Sequence, residues 1–449
     1  MSTIPVVPLN DKRMINAWSI FDWANSAFAL VITVAIFPAY YINVTFNEVD
    51  LFGMQLSNSA LYAFAISFAY LLLAIVSPLL SGIADYGGKK KFFLKLFTYM
   101  GAGGCLTLFL FDGMQEGASD AYNLSQLLLG TIAFVVGLIG YAGALVFYNS
   151  YLPEIATEDR YDSVSAKGFA YGYIGSVILL VANLVVIMNP HWFGITDDGL
   201  AVRIAFLMVG VWWIGFSLIP FRVLPDDSKE KPQENLMRKG TEELLKVWHF
   251  IRTQVNMKYF LLSFLFYSAG AQTVLFMAST FAEKELAFST QQMIGIILVL
   301  QFLAIVGAYL FAKVSDRWGN RISLVVILLV WMLICFVSYF VQEQGHFYTI
   351  AAAVGLVMGG VQALSRSTYS KLLPEKTEDT TSFFSMYDVL EKVAIIGGTF
   401  LFGFLDQITG DMRVSLLALG IFFIVGIILL MRVKVQAAEG SINDPQPAA

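Results

Sequence analysis

Polar side chains interrupt the apolar stretches of this sequence at a small number of positions. One set carries both charge signs, amides and a phenol, and we expect it to line a cavity: Asp22, Asn25, Tyr148, Asn149, Gln272, Gln362 and Arg366. Ionisable groups inside bilayer-spanning segments are costly and usually mark a solute pathway or a buried partner. This mixture of charges and amides suits a zwitterionic or anionic small solute better than a lipid or an apolar compound.

A second set lies close together in the eleventh apolar stretch and consists of Asp388, Glu391 and Lys392. Asp388 precedes Lys392 by one helical turn, which is the favourable order for an ion pair along one helix. Glu391 is then left without a local partner. Either it carries a proton during a transport cycle, or it forms a static ion pair with Arg366. The set is therefore predicted to act as a charge relay or as a lock between two halves of the protein.

Two short loops share one pattern, in which a small residue and an aspartate precede a glycine and a basic residue. They occupy residues 81–91 and 312–321, about half the chain apart. A loop type that recurs at this interval indicates two copies of one multi-helix unit. The candidate gating residues in the two loops are Asp85, Gly88, Lys89, Lys90, Asp316, Arg317, Gly319 and Arg321.

The residue types in these loops have physical reasons to be there. Gly88 and Gly319 permit the chain to reverse direction after a membrane helix. The basic residues are expected among anionic headgroups and in the cytosol. Asp85 and Asp316 are expected to accept hydrogen bonds from the N-terminus of a neighbouring helix, a contact that two bundles could make and break. The alternative is a charged turn with no gating role.

Long apolar helices must position these residues. Of 449 residues, 57% are hydrophobic and 14% are charged, whereas soluble proteins carry about 25% charged residues. Stretches of about 20 apolar residues, enough to span a bilayer, occur at 17–42, 58–81, 92–111, 126–150, 168–188, 200–221, 258–282, 291–312, 322–342, 347–370, 382–405 and 413–432. The predicted fold class is all-α integral membrane, with twelve transmembrane helices in two pseudo-symmetric six-helix bundles.

The chain divides at a polar linker. The predicted parts are an N-terminal bundle over 1–221, a cytosolic linker over 222–257, a C-terminal bundle over 258–434 and a disordered cytosolic tail over 435–449. The linker contains an amphipathic helix, predicted to lie on the inner leaflet. Its apolar face consists of Leu244, Leu245, Trp248, Ile251 and Val255. With the N-terminus inside, most of the 28 Lys and Arg residues fall on cytosolic flanks, so both termini are predicted to be cytosolic.

The two loops resemble the signature loops between helices two and three, and eight and nine, of the major facilitator superfamily. Further stretches resemble one branch of it, the vacuole effluxer family, also called the unknown major facilitator family. They are the Asp-Trp-Ala-Asn-Ser-Ala-Phe run at 22–28, Tyr148-Asn149 with Leu152-Pro153-Glu154, the Gly-Tyr-Ile-Gly within 165–175, residues 362–367, and Lys392. The resemblance implies a twelve-helix facilitator, with fungal relatives implicated in amino-acid efflux from the vacuole.

These observations predict a secondary active transporter that moves a small polar solute by alternating access. An amino acid or a related zwitterion or anion is the candidate solute, and the proton is a candidate coupling ion. The alternative is a transporter-like solute sensor that binds without translocating. The sequence has no pairing of a nucleophile with a base, no metal-ligand spacing and no nucleotide-binding loop, so we expect no enzyme, no catalytic residues, no cofactor and no metal.

The expected partners are a small-molecule substrate, membrane lipids and protons, without nucleic acid, and the protein is expected to be a monomer. The bacterial inner (plasma) membrane is the expected location.

Overall fold

The computed structural model describes residues 9–51, 54–226, 235–288, 290–374 and 377–434, and most of them are helical. The elements before the linker are α1 (Lys12–Ala27), a π-helical stretch (Phe28–Ile36), α2 (Phe37–Val44), β1 (Glu48–Leu51), β2 (Met54–Ser57), α3 (Asn58–Gly87), α4 (Lys90–Leu108), α5 (Asp120–Asn149), α6 (Leu152–Ile155), α7 (Tyr161–Met188) and α8 (Asp198–Val223). The elements from the linker onwards are α9 (Leu236–Thr253), α10 (Val255–Leu286), α11 (Thr290–Ser338), α12 (Gln344–Lys371), α13 (Thr380–Thr409) and α14 (Met412–Leu430).

Each of the twelve predicted apolar stretches lies mostly in a long helix, although the third extends past the end of α4 at Leu108 and the ninth past the end of α11 at Ser338. The first runs without interruption from α1 through the π-helical stretch to the end of α2. The eighth and ninth both lie in α11, which is broken at Gly319. By length and composition, nine helical spans of the described residues could cross a membrane; α11 counts once among them, and α4 and α13 are not included.

The helices before the linker and those after it pack as two separate bundles. In the first bundle, α1 packs against α7 and α8, and α4 packs against α5 and α8. In the second, α10 packs against α13 and α14, and α11 packs against α12 and α14. The two bundles meet where α7 contacts α11 and α12, and where α3 contacts α13. This arrangement confirms the predicted fold.

The two loop glycines have left-handed or otherwise positive-φ backbone. Gly88 ends α3 with φ 60° and ψ 47°. Gly319 interrupts α11 with φ 79° and ψ 157°. Residues with a Cβ avoid both conformations, so these positions explain why the chain turns at the two predicted loops.

One end of the molecule carries α9 together with the turns after α3 and within α11, and we call it the linker face. Both ends of the described chain reach it. The side-chain amide of Asn10 donates to Oγ1 of Thr157 at 2.8 Å, and the backbone N–H of Lys434 donates to Oδ1 of Asn256 at 3.0 Å. An antiparallel hairpin of β1 and β2 joins α2 to α3. The predicted tail over 435–449 and linker residues 227–234 lie outside the described residues.

The linker helix packs differently from the prediction. Val247, Phe250 and Ile251 are its buried apolar residues, whereas Leu245 is 60% exposed and Trp248 is 48% exposed. The predicted apolar face was therefore only partly right, because α9 packs against α3 of the first bundle and α13 of the second. A helix with protein contacts on one side and exposed apolar side chains on another is not held by a leaflet alone.

Candidate functional site

Arg366 of α12 reaches across from the second bundle into the first. Its side chain is almost completely buried, with 3% exposed. Nη1 lies 3.5 Å from Oδ2 of Asp22 and donates to Oδ1 of Asn149 at 3.1 Å. Nε donates to Oγ of Ser165 at 3.0 Å, and Nη2 donates to the carbonyl oxygen of Ser165 at 2.8 Å. The Tyr148 hydroxyl donates to Oδ2 of Asp22 at 3.0 Å, so four predicted cavity residues meet in one network.

The charges of α13 form a second group. Nζ of Lys392 lies 2.5 Å from Oδ2 of Asp388 and 5.9 Å from the ring centroid of Tyr70, which belongs to α3 of the first bundle. Glu391 is not without a partner, because Nε2 of Gln272 donates to its Oε1 at 3.0 Å. The expected static ion pair of Glu391 with Arg366 is wrong in this conformation, since the guanidinium binds residues of the other bundle.

Two predicted cavity residues lie apart from these groups. Gln362 accepts a hydrogen bond from the hydroxyl of Tyr173, a further contact between α12 and α7. Asn25 is fully buried, and its amide has no hydrogen-bond partner within the part of the chain that the structure describes. Asn25 follows Asp22 by three residues and therefore points about 60° away from it around the helix. It was expected in the same cavity, but it does not join the Arg366 network.

The Asp85 carboxylate is bound by the N-terminus of α13. Oδ1 accepts the backbone N–H of Thr381 at 3.2 Å, and Oδ2 accepts that of Ser382 at 2.7 Å. One turn earlier, Oγ of Ser81 donates to Oγ of Ser385 at 2.9 Å. These contacts place the end of α3 on the start of α13, with a buried negative charge on the positive end of a helix. The gating role of Asp85 remains a prediction.

The lysines after Gly88 are not all at a headgroup surface. Lys89 is half-buried, but Lys90 and Lys91 are 3% and 7% exposed. Lys90 binds Glu154 and donates to Oγ1 of Thr380 at 2.7 Å, which connects the bundles. The solvent position expected for Lys90 is therefore wrong. The left-handed turn at Gly88 starts α4 immediately, so its first lysines point back into the protein.

The second loop does not repeat the contacts of the first. Asp316 and Arg317 are exposed, and within the described residues Asp316 accepts no hydrogen bond. Among the described residues, Arg321 donates to the carbonyl oxygen of Val433, at 3.3 Å. The predicted helix contact of Asp316 is therefore wrong here, because this residue lies on an exposed side of α11.

Asn320, rather than Asp316, contacts the start of α7, and it was not among the residues predicted from the sequence. Its Nδ2 donates to Oδ1 of Asp162 at 2.7 Å. Lys371 closes the triangle, with Nζ at 2.9 Å from Oδ2 of Asp162 and 2.7 Å from Oδ1 of Asn320. Asn320 lies between Gly319 and Arg321 of the repeated loop, which was the available signal. Asp162 and Lys371 stand at the ends of apolar stretches, where charged residues are ordinary.

The fold and this polar junction between two six-helix bundles define a secondary transporter of the major facilitator class. The chain belongs to the vacuole effluxer Atg22 like family, whose sequence model matches residues 10–441. The MFS-type transporter YxiO of Bacillus subtilis is 30% identical over 419 residues, which cover 92% of this chain and 93% of that one. Autophagy-related protein 22 of Saccharomyces cerevisiae is 27% identical over 406 residues, which cover 80% of this chain and 74% of that one.

Solved structures of the same class share the fold. The transporter FucP in the outward conformation has a TM-score of 0.68 at 12% identity, covering 93% of this chain and 97% of that one. The human organic anion transporter TETRAN has a TM-score of 0.68 at 11% identity, covering 94% of this chain and all of that one (100%).

Proposed function

We propose that this protein moves a small polar solute across its membrane by alternating access. We further propose that the structure shows the conformation in which the cavity between the bundles is closed at the linker face. The observation that carries the proposal is the position of the polar contacts between the bundles. Asp85 with α13, Asp162 with Lys371 and Arg366 with Asp22 all join helix ends or helix segments near the linker face. Contacts of this kind can separate as a group when two bundles rock.

The similarity to FucP in its outward conformation supports closure at the linker face, if that face is cytosolic. That transporter shares the fold of this chain, and the linker face is here the side of both termini. We propose that the linker face is cytosolic, because exposed basic residues lie there: Arg238, Lys246 and Arg252 of α9, and Arg317 of α11. The match to the B. subtilis transporter over nearly the whole chain supports a bacterial plasma membrane as the location. The vacuole effluxer description of the family supports transport as the activity.

Glu391 is the proposed proton site. It is a half-buried carboxyl group that accepts one hydrogen bond within the described part of the chain, from the amide of Gln272. The neighbouring Asp388 is neutralised by Lys392. Among the described residues Glu391 has no ion pair, and an unpaired carboxylate is costly at membrane depth. Gain and loss of a proton at Glu391 would therefore change the charge between the bundles, which is what coupling of transport to protons requires.

Flux into proteoliposomes tests the proposal. Purified protein is reconstituted and uptake of labelled amino acids, small peptides and sugars is measured with and without a pH gradient. We expect saturable flux of at least one polar solute and loss of its pH dependence in Glu391→Gln. Asp406→Asn, an acid-to-amide change on the same helix, is the matched control and should retain the dependence. Saturable binding without flux would refute transport and favour a solute sensor, and an unchanged pH dependence in Glu391→Gln would remove the proton role.

A further inference from the structure

The guanidinium of Arg366 lies in a pocket whose walls belong to the first bundle. Its Cζ is 4.0 Å from the ring centroid of Phe169, 4.7 Å from that of Trp18 and 5.6 Å from that of Tyr148. The last two rings stack on each other at 4.5 Å. Cations are attracted to aromatic faces within about 6 Å, and more strongly where water is excluded. Three helices of one bundle thus supply an aromatic enclosure for a cation.

The polar atoms of the pocket match a cation as well. The enclosed group faces the Asp22 carboxylate, the amide oxygen of Asn149 and the backbone carbonyl of Ser165. The side-chain hydroxyl of Ser165 is turned by its own hydrogen bond to the carbonyl oxygen of Ala363, so its lone pairs face Nε. The Tyr148 hydroxyl holds Asp22 in place. The pocket therefore offers one negative charge and several acceptors to a group that only donates.

Gly168 leaves the room that the cation occupies. A Cβ placed at this position would lie 2.9 Å from Nη2 of Arg366, 2.7 Å from the Trp18 ring and 2.9 Å from the Tyr148 hydroxyl. Real Cβ atoms essentially never make heavy-atom contacts this close. The absence of a side chain here keeps the pocket wide enough for a planar guanidinium.

We propose that this pocket is a cation-binding site of the first bundle, selective for guanidinium and primary ammonium groups, and that Arg366 is its internal ligand when the linker face is closed. The role of this site in transport, described next, rests on the proposed function. When the bundles part at the linker face, α12 withdraws Arg366, and the cationic group of a solute takes its place. Solute and Arg366 compete for one pocket, so Arg366 displaces the cationic group from it as the linker face closes.

Removing the internal ligand tests the site directly. In purified full-length protein, Arg366→Ala empties the pocket, and methylguanidinium chloride is the probe, compared with equal concentrations of sodium chloride. We expect the thermal midpoint of Arg366→Ala to rise with the logarithm of the methylguanidinium concentration, as mass action requires for a ligand of the folded state. The unsubstituted protein should not respond, because Arg366 fills its pocket. Asp22→Asn combined with Arg366→Ala should abolish the response, and so should Gly168→Ala combined with Arg366→Ala.

Equal responses of the unsubstituted protein and Arg366→Ala would overturn the proposal, as would an undiminished response of the two double variants. If Arg366→Ala yields no folded protein in sodium chloride, methylguanidinium is supplied throughout purification. Recovery of folded Arg366→Ala, but not of the double variant with Asp22→Asn, would then support the site, and no recovery would overturn it. These readouts need no translocation. A protein that binds the probe as expected but shows no flux would refute transport and leave the cation site intact.

Discussion

The backbones of Gly82 in α3 and Gly240 in α9 touch, since a Cβ placed on Gly82 would lie 2.2 Å from the carbonyl oxygen of Gly240. At its other end α9 places Phe250 edge-to-face on Phe383 of α13, with ring centroids 5.8 Å apart. Only Gln254 separates α9 from α10, so the helix belongs by connectivity to the second bundle and by packing to the first. It therefore braces the same junction in which Asp85 binds the start of α13.

Gly240→Ala tests whether the close contact between α9 and α3 stabilises the protein. Its Cβ would lie 2.8 Å from the backbone nitrogen of Ile83, and overpacking of this kind costs about 1–3 kcal/mol. Helix propensity alone predicts the opposite sign, a gain of up to about 1 kcal/mol for Gly→Ala. Gly215→Ala in α8 is the matched control, because nothing lies within 4 Å of its Cβ position. Thermal unfolding should show a lower midpoint for Gly240→Ala only; a higher midpoint in both variants would mean that the contact is not tight.

Asp85→Asn should weaken closure of the linker face. The carboxylate accepts two backbone N–H groups, and hydrogen bonds to a charged group contribute about 1.5–3 kcal/mol, equivalent to at least about a tenfold shift between two conformations. Ser385→Cys supplies a reporter, because Ser385 is fully buried between the bundles and the native Cys105 and Cys335 are buried too. We expect faster maleimide labelling of Cys at position 385 when Asp85→Asn is present.

The matched control for this measurement is Asp316→Asn in the same reporter background. Asp316 occupies the equivalent position of the second loop but is exposed, so its neutralisation should leave the labelling rate unchanged. If both substitutions accelerate labelling equally, the effect comes from surface charge rather than from the contact with α13.

Lys371→Met should destabilise the protein more than the double substitution that also neutralises its partner. The side chains of Lys371 and Asp162 are 13% and 3% exposed, and removal of one member of a buried ion pair typically costs about 3–5 kcal/mol. Asp162→Asn combined with Lys371→Met leaves no unpaired charge. A double-mutant cycle in denaturant unfolding should therefore give a clear coupling energy. Additive losses would show that Asn320 alone holds Asp162.

The sequence predicted the helices and some of the contacts of single residues, for identifiable reasons. Apolar length determines membrane helices directly, and the position of Gly88 determines where α3 must turn. The pairing of Asp388 with Lys392 follows from their spacing on one helix. Arg366 was recognised as a charged residue inside an apolar stretch, but its partners come from three other helices. The spacing of residues along one helix does not determine which helices pack against each other. For the same reason the burial of Lys90 and the use of Asn320 in place of Asp316 were not predictable.

Gly319→Ala should strain the break in α11. The backbone there has φ 79° and ψ 157°, a region that is essentially restricted to glycine and costs other residues about 1–3 kcal/mol. Space is not the obstacle, because nothing lies within 4 Å of the Cβ position. Gly345→Ala in α12 is equally open but has ordinary φ, so it should not lower stability. A lower unfolding midpoint for Gly319→Ala alone would assign the loss to backbone conformation. Since Asn320 follows directly, the same variant should also weaken its contact with Asp162. An added Lys371→Met should then cost more than it does in the unsubstituted protein, because Asp162 loses both of its partners.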